Sequence, residues 1–304
     1  MSFALQFKDT EPFLMDFDYT IEADFFKQRI ALADLVDNYI SSNSEQALFG
    51  KNFQYLNAHR VEPKSIHPKD YTSVVVNKNL GKYGDFTAHF IETYYNDPLE
   101  FENIIHIDSV TKDEVLGTEI INKTLINQIN LWMGEISPGV SIRTTAIPNT
   151  DEVLLEYVFK QPNFGNTNRY KPENVGFGIS YSLHIVTSLL ASRPGELLII
   201  ENPESHIHPR GQTELGKLIA LVAQNDVQII IETHSDHILN GIRVGVKDNP
   251  IMKDRTILFY FEKLVTESEQ YSTVVNIEID SKGELSEYPK NLLDEWSNQL
   301  LKLL

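Results

Sequence analysis

Two short runs hold most of the side chains in this sequence that could do chemistry. "LLIIENPESHIHP" drives four apolar residues into Glu201, Asn202 and Glu204, with His206 and His208 just beyond. "VQIIIETHSDHIL" repeats the design and ends in Glu232, Thr233, His234, Ser235, Asp236 and His237. Unbroken Leu/Ile runs fit strands covered on both faces, and ligands bind to open parallel sheets beyond the carboxyl ends of such strands. If the two strands are neighbours, roughly 5 Å apart, both clusters belong to one site. Carboxylate oxygens suit a hard cation such as Mg2+, which keeps waters and serves phosphate substrates, and Glu201, first out of its strand, is the best placed ligand. A histidine on the second strand end could contact a terminal phosphate. Such a site suits phosphoryl transfer, where positioning and charge neutralisation dominate.

A third run, "NVGFGIS", places Gly176, Gly178 and Ser180 at the start of a helix. The glycines let backbone approach a ligand, and the helix N–H groups with Ser180 would favour an anion. Other readings stay open. Glu201 and Glu204 could be turn acids, and Asn174 could simply cap the helix. Glu204, His206, His208, His234 and His237 could form the transition-metal site of a metal-dependent hydrolase. His59, His67, His89, His106 and His184 read as structural or surface histidines. Arg60 and Arg243 read as phosphate or partner contacts, or as surface ion pairs.

The elements around these runs point to an α/β chain. From residue 178 helix and strand alternate: "GISYSLHIVTSLLAS", "ELLIIE", "RGQTELGKLIALVAQ", "VQIIIET", "SDHILNGIRVGV", "TILFYFE". That alternation implies crossovers and a parallel sheet. "STVVNIEIDSKGELSEY" then reads as strand, turn at Lys282-Gly283, strand. "NLLDEWSNQLLKLL" reads as a closing helix with one apolar face. Earlier, "DFFKQRIALADLVDNYISS", "FTAHFIETYYNDP" and "INKTLINQINLWMGEI" carry helical spacing, and "FQYLNAHRVEP" begins as a strand. "VSIRTTAIPN" and "EVLLEYVF" read as two strands joined by a turn, before an exposed loop at "KQPNFGNTNRYKPEN". The expected division is a helical or mixed lobe with part of the head in 1–150 and the core in 151–304.

Taken in order, "NVGFGISYSL", "LLIIENPESHIHP" and "IIIETHSDHIL" resemble the signature, Walker B with D-loop, and H-loop motifs of ABC/SMC-type ATPase heads. The resemblance is to AAA-family ATPases of the overcoming-lysogenization-defect (OLD) type and is strongest over residues 170–245; "YLNAHRVEP" and "GELSEYPKNLLDEW" add to it. It implies an ABC-ATPase-like (P-loop NTPase) fold: a mostly parallel sheet flanked by helices, with a helical lobe in the N-terminal half. It implies ATP and Mg2+ as ligands, Glu201 on magnesium, Asn202 in the place of the catalytic glutamate and His234 as γ-phosphate switch. Ser205 to Pro209 would form the D-loop. Gly176, Gly178 and Ser180 would hold the γ-phosphate of a nucleotide on the opposite subunit, so a homodimer is implied. Relatives serve in anti-phage defence, DNA repair or nuclease control, so an effector nuclease is an expected partner.

The sequence departs from that pattern twice. Asn202 cannot accept a proton as a carboxylate would, which leaves Glu204 or Glu232 as a base, or slow turnover. No G-x-x-x-x-G-K-[ST] loop occurs. "EQALFGKNF" has Glu45 for the first glycine and Asn52 after Lys51, and "VNKNLGKYG" has Val76 and Tyr83 at the same places. The missing phosphate cradle is expected in a segment absent from this chain or on a partner, and a non-hydrolysing scaffold stays open beside the ATPase.

Bulk properties narrow the setting. The 304 residues are 41% hydrophobic, enough for one large domain or two smaller ones. A formal charge of −17 gives no support to nucleic-acid binding. No cysteine is present, which excludes disulfides, Cys-type zinc sites and thiol catalysis. The N-terminus does not read as a signal peptide, and no run approaches the roughly 18 apolar residues of a membrane span. A cytoplasmic protein without membrane contact is the expectation.

Overall fold

The computed structural model of the protein describes residues 2–5, 13–20, 25–28, 52–112, 118–161, 165–266, 268–290, 292–293 and 295–303. Backbone packing divides the chain into two compact units, Met1–Gly50 and Lys51–Leu304. In the first, β1 (Ser2–Leu5), β2 (Phe13–Thr20) and β3 (Phe25–Gln28) form an antiparallel sheet in the order β1-β2-β3. The amphipathic helix expected from Asp24 to Ser42 is therefore strand at Phe25–Gln28, where β3 pairs with β2 from Phe25↔Thr20 to Gln28↔Phe17. The rest of that segment lies outside the described residues, as do Glu45, Gly50 and Lys51 of "EQALFGKNF".

In chain order the second unit runs β4 (Phe53–Leu56), β5 (Ile66–Pro68), α1 (Thr87–Thr93), β6 (Val110–Lys112), β7 (Glu119–Ile121), α2 (Leu125–Ile136), β8 (Val140–Ala146), β9 (Glu152–Gln161) and β10 (Gly165–Asn166). It continues with α3 (Phe177–Leu190), β11 (Leu197–Glu201), α4 (Pro209–Ala223), β12 (Gln228–Glu232), α5 (Asp236–Asp248), β13 (Ile257–Val265), β14 (Gln270–Glu278) and α6 (Glu295–Leu301). Two of the three helices expected in the first half form, and "VSIRTTA" and "EVLLEYVF" pair as the antiparallel strands β8 and β9. β9 also pairs with β5 and β10, so an antiparallel sheet accompanies the helices of this half.

The strands that carry the two acidic runs form a parallel sheet of order β12-β11-β4, and the class is the expected α/β. α3 explains the longest near-apolar run of the sequence. It is apolar nearly all round because it is the core helix, with Leu183, Ile185, Val186 and Leu189 wholly buried. α4 and α5 cross at glycines. A Cβ on Gly216 would collide with the Ile238 carbonyl, and one on Gly241 with the Thr213 carbonyl. This close approach seats the start of α5, and the polar run before it, beside α4.

β13 departs from expectation. It does not join the parallel sheet but pairs antiparallel with β14, Ile257↔Glu278 through Val265↔Gln270. Leu258, Tyr260 and Val275 turn toward a second apolar cluster built on Leu239, Val246, Met252 and Ile277, while Ile257, Phe259 and Phe261 are exposed. That alternation is the period of a strand with one covered face.

Candidate functional site

β11 and β12 end in register, with Glu201 opposite Glu232, and β4 ends at Leu56 opposite Ile200. Three carboxyl ends therefore open onto one place. Glu201 is oriented there by two donors: the Tyr55 hydroxyl to Oε1 at 2.6 Å and the Ala58 N–H to Oε2 at 3.0 Å. The Tyr55 hydrogen bond, then that of Ala58, holds its carboxyl below the usual carboxylate range. An ionised, fixed carboxylate with lone pairs to spare fits a Mg2+ ion that keeps its waters.

Asn202 takes the left-handed conformation (φ 43°), which Asn tolerates better than most residues. Its N–H donates to the Glu232 carbonyl at 2.9 Å, while its side-chain oxygen is buried without a partner among the described residues. Glu204 reaches across to the second strand end, accepting from the Thr233 hydroxyl at 2.7 Å and the His234 N–H at 2.8 Å. Each of its oxygens accepts one hydrogen bond, which makes Glu204 a strap between the two loops. Gln212 of α4 extends the strap. It accepts from the Ser235 hydroxyl and donates to the Ile207 carbonyl at 2.7 Å. Ser235 in turn caps α5, its Oγ accepting from the His237 and Ile238 N–H groups. With its backbone so held, the His234 ring points outward, 78% exposed, its Nε2 3.5 Å from Glu232 Oε1.

Arg60 is neither a phosphate contact nor a surface ion pair. It is wholly buried, and Nη2 donates to the carbonyls of Glu201 (2.7 Å) and Asn202 (2.9 Å). Its guanidinium lies 5.8 Å from the centre of the Tyr181 ring. Burial lowers its pKa to about 10. Arg243 fits the ion-pair reading: it lies 3.5 Å from Glu284 Oε2 and also donates to the Gly283 carbonyl at 2.6 Å and Asn240 Oδ1 at 2.9 Å.

The third run begins α3 as expected, with Gly176 as its N-cap. A Cβ on Gly176 would meet nothing within 4 Å, so that end is open. Gly178 is glycine for a packing reason, since a Cβ there would collide with the His206 carbonyl. Ser180 corrects the expectation for it. The helix starts at Phe177, which puts Ser180 one turn in on the inner face; it is 4% exposed, with its hydroxyl 3.3 Å from that of Tyr157. Phe177, Tyr181 and His206 form a ring cluster where α3 meets the loop after β11.

The histidines do not assemble a metal centre. Among the described residues no group of three or more His, Asp or Glu side chains could hold a metal ion. His208 instead caps α4, accepting from the Arg210 N–H. His67, His89, His106 and His184 are buried. The sequence reading missed Tyr55, Ala58 and Gln212 as supports of the site. The signal for the first two was a polar run directly after a short apolar strand in "FQYLNAHR".

Residues 118–240 match the family described as "AAA domain, putative AbiEii toxin, Type IV TA system", a span that holds α3, β11, α4 and β12. Residues 251–303 match a family described as a protein of unknown function, DUF3696. No curated protein matches. Among solved structures, one titled for ATP-driven dimerization and DNA-stimulated activation of SMC ATPases is 12% identical, with a TM-score of 0.34 over 50% of this chain and 83% of its own. An Smc head bound to the C-terminal winged-helix domain of ScpA is 13% identical, with a TM-score of 0.37 over 51% and 42%. An Smc head with an extended coiled coil bound to ScpA, from Pyrococcus furiosus, is 13% identical, with a TM-score of 0.35 over 59% and 37%. The chain thus spans less than half the length of the last two. Residues 118–240 are thus similar to an AAA-type ATPase-like domain. No described helix is long and apolar enough to cross a membrane.

Proposed function

We propose that the chain is part of an OLD-like ABC head that binds Mg·ATP at the carboxyl ends of β4, β11 and β12, dimerises on the nucleotide and gates an effector protein. The observation that carries this reading is the register of Glu201 with Glu232, strapped by Glu204 to the turn that presents His234. Glu201 would hold the Mg2+, which supplies neutralisation of phosphate charge. His234 would donate to a terminal phosphate, a role supported by its outward, exposed ring. Gly176 leaves the N–H groups of α3 open to an anion, and with the D-loop Ser205–Pro209 it would face the opposite protomer. The family description for residues 118–240 names an AbiEii toxin, which supports a setting in anti-phage defence, with DNA repair the other expectation.

Turnover is slow in this reading. Asn202 is no base, which leaves Glu204, in its strap, or Glu232, 56% exposed at the strand end, for that role. Calorimetry of the chain with Mg·ATP tests the proposal. Binding with a Kd on the order of 1 mM is expected, as the phosphate cradle is missing. Glu201→Gln abolishes it, and His234→Ala lowers turnover without altering the fold. Absence of binding at several times that concentration refutes it and favours the non-hydrolysing scaffold, a reading that the buried Asn202 side chain also suits.

A further inference from the structure

A Mg·polyphosphate leaves net negative charge to be neutralised, and the sequence has no phosphate-loop lysine to do it. The two arginines nearest in motif are committed: Arg60 to buried carbonyls and Arg243 to Gly283 and Asn240. Lys82 is different. It follows Gly81, which takes a positive φ of 82°, in a turn bound to β4 and its exit. Gln54 Nε2 donates to the Gly81 carbonyl at 3.2 Å, and the Asn57 N–H donates to the Lys82 carbonyl at 3.0 Å. The backbone of Lys82 is thereby pinned at the carboxyl end of β4, while its side chain is exposed and in no ion pair among the described residues. The ammonium lies 5.9 Å from the centre of the Tyr55 ring and 5.3 Å from that of Tyr83. Tyr55 is the residue whose hydroxyl orients Glu201, so one ring separates cation from carboxylate. Lys82 is also one of the charges that lower the Glu201 carboxyl.

We propose that Lys82 is the phosphate-neutralising cation of this site, contacting a polyphosphate oxygen beside the divalent ion on Glu201. This rests on the nucleotide reading above and adds to it a residue outside all three motifs. An exposed ammonium over tyrosine rings is held weakly, by about 0.5–1 kcal/mol, so it is free to swing to an anion. Lys78 of the same loop lies 3.5 Å from the Tyr94 ring and serves as the control cation.

The charge has opposite effects on the two ligands, which separates it from a structural role. On the full chain, Lys82→Ala should weaken binding of inorganic tripolyphosphate with Mg2+ by about tenfold and tighten binding of Mn2+ alone severalfold, as a nearby positive charge attracts the one and repels the other. Lys82→Arg should restore wild-type values for both, and Lys78→Ala should change neither. Tripolyphosphate is followed by calorimetry and Mn2+ by electron paramagnetic resonance. If the wild type binds tripolyphosphate and Lys82→Ala binds it within twofold, Lys82 is not the cation and the nucleotide reading stands. If Lys82→Ala weakens both ligands, the residue merely supports the loop and the proposal fails. If the wild type binds neither Mg·ATP nor tripolyphosphate, the nucleotide reading fails and Lys82 with it.

Discussion

Arg60 is where the energetics of the site can be tested most directly. Its guanidinium sits with no solvent exposure beneath the turn after β11, donating to the carbonyls of Glu201 and Asn202 and, at 3.4 Å, of Ala58. The fall of its pKa from 12.5 to about 10 corresponds to roughly 3 kcal/mol against burying the charge. Two charge-assisted hydrogen bonds, about 1.5–3 kcal/mol each, oppose that penalty. Arg60→Met removes that penalty of roughly 3 kcal/mol but strands two carbonyls, at about 1–3 kcal/mol each; the expected net lies between a gain of about 1 kcal/mol and a loss of about 3 kcal/mol. Arg60→Lys keeps the buried charge and loses the planar fork that spans both carbonyls, so it should lose about 3 kcal/mol or more. The order, Lys worse than Met, is the informative result. Urea unfolding read by tryptophan fluorescence measures it, since Trp132 is buried in the main core with its Nε1 bonded to the Ile104 carbonyl. Arg60→Lys as stable as Arg60→Met, or both within about 0.5 kcal/mol of wild type, would show that the turn does not depend on this guanidinium.

Burial pushes the His184 imidazole down to about 3, with His67 and His89 lowered in the same direction. A histidine whose folded pKa lies below its unfolded value stabilises fully above about pH 6.5 and loses that contribution as pH falls toward the folded pKa. Lowering pH from 6.5 to 5 should therefore remove about 2 kcal/mol through His184 alone; thermal melts should show a shallower fall in His184→Gln than in wild type, and equal slopes would count against it. Gly216→Ala pushes a Cβ onto the Ile238 carbonyl and should destabilise by about 2 kcal/mol or more. In α2, Gly134→Ala meets nothing within 4 Å and should stabilise by about 0.5–1 kcal/mol; chemical denaturation of the pair checks both, and equal effects would contradict the helix-crossing argument.

The strand ends could be read from the chain because their information is local. Apolar runs of strand length, each followed by acids and a histidine, specify element, end and chemistry within a dozen residues. β12 is nonetheless not covered on both faces as its run implied, Ile230 being 49% exposed at the sheet edge. The parallel register of β11 and β12 follows from such strands alternating with helices. α3 was legible for the same reason, as an apolar run too short to span a membrane.

Other features were decided by which distant segment came to lie alongside. Glu201 is oriented by Tyr55, 146 residues earlier, and Glu204 is engaged by Thr233, 29 residues later; neither spacing leaves a pattern in sequence. Ser180 carries an anion-binding side chain, yet the first residue of the helix put its hydroxyl inside against Tyr157. "TILFYFE" is a strand by composition alone, but its partner, β14 instead of the parallel sheet, was chosen by the apolar cluster under one of its faces. The chain alone thus determined which residues end the strands and what chemistry they offer, because side-chain type and short-range periodicity are written locally. The tertiary structure decided which of those groups remain free to act, because burial and hydrogen-bond occupancy depend on contacts between residues far apart in sequence.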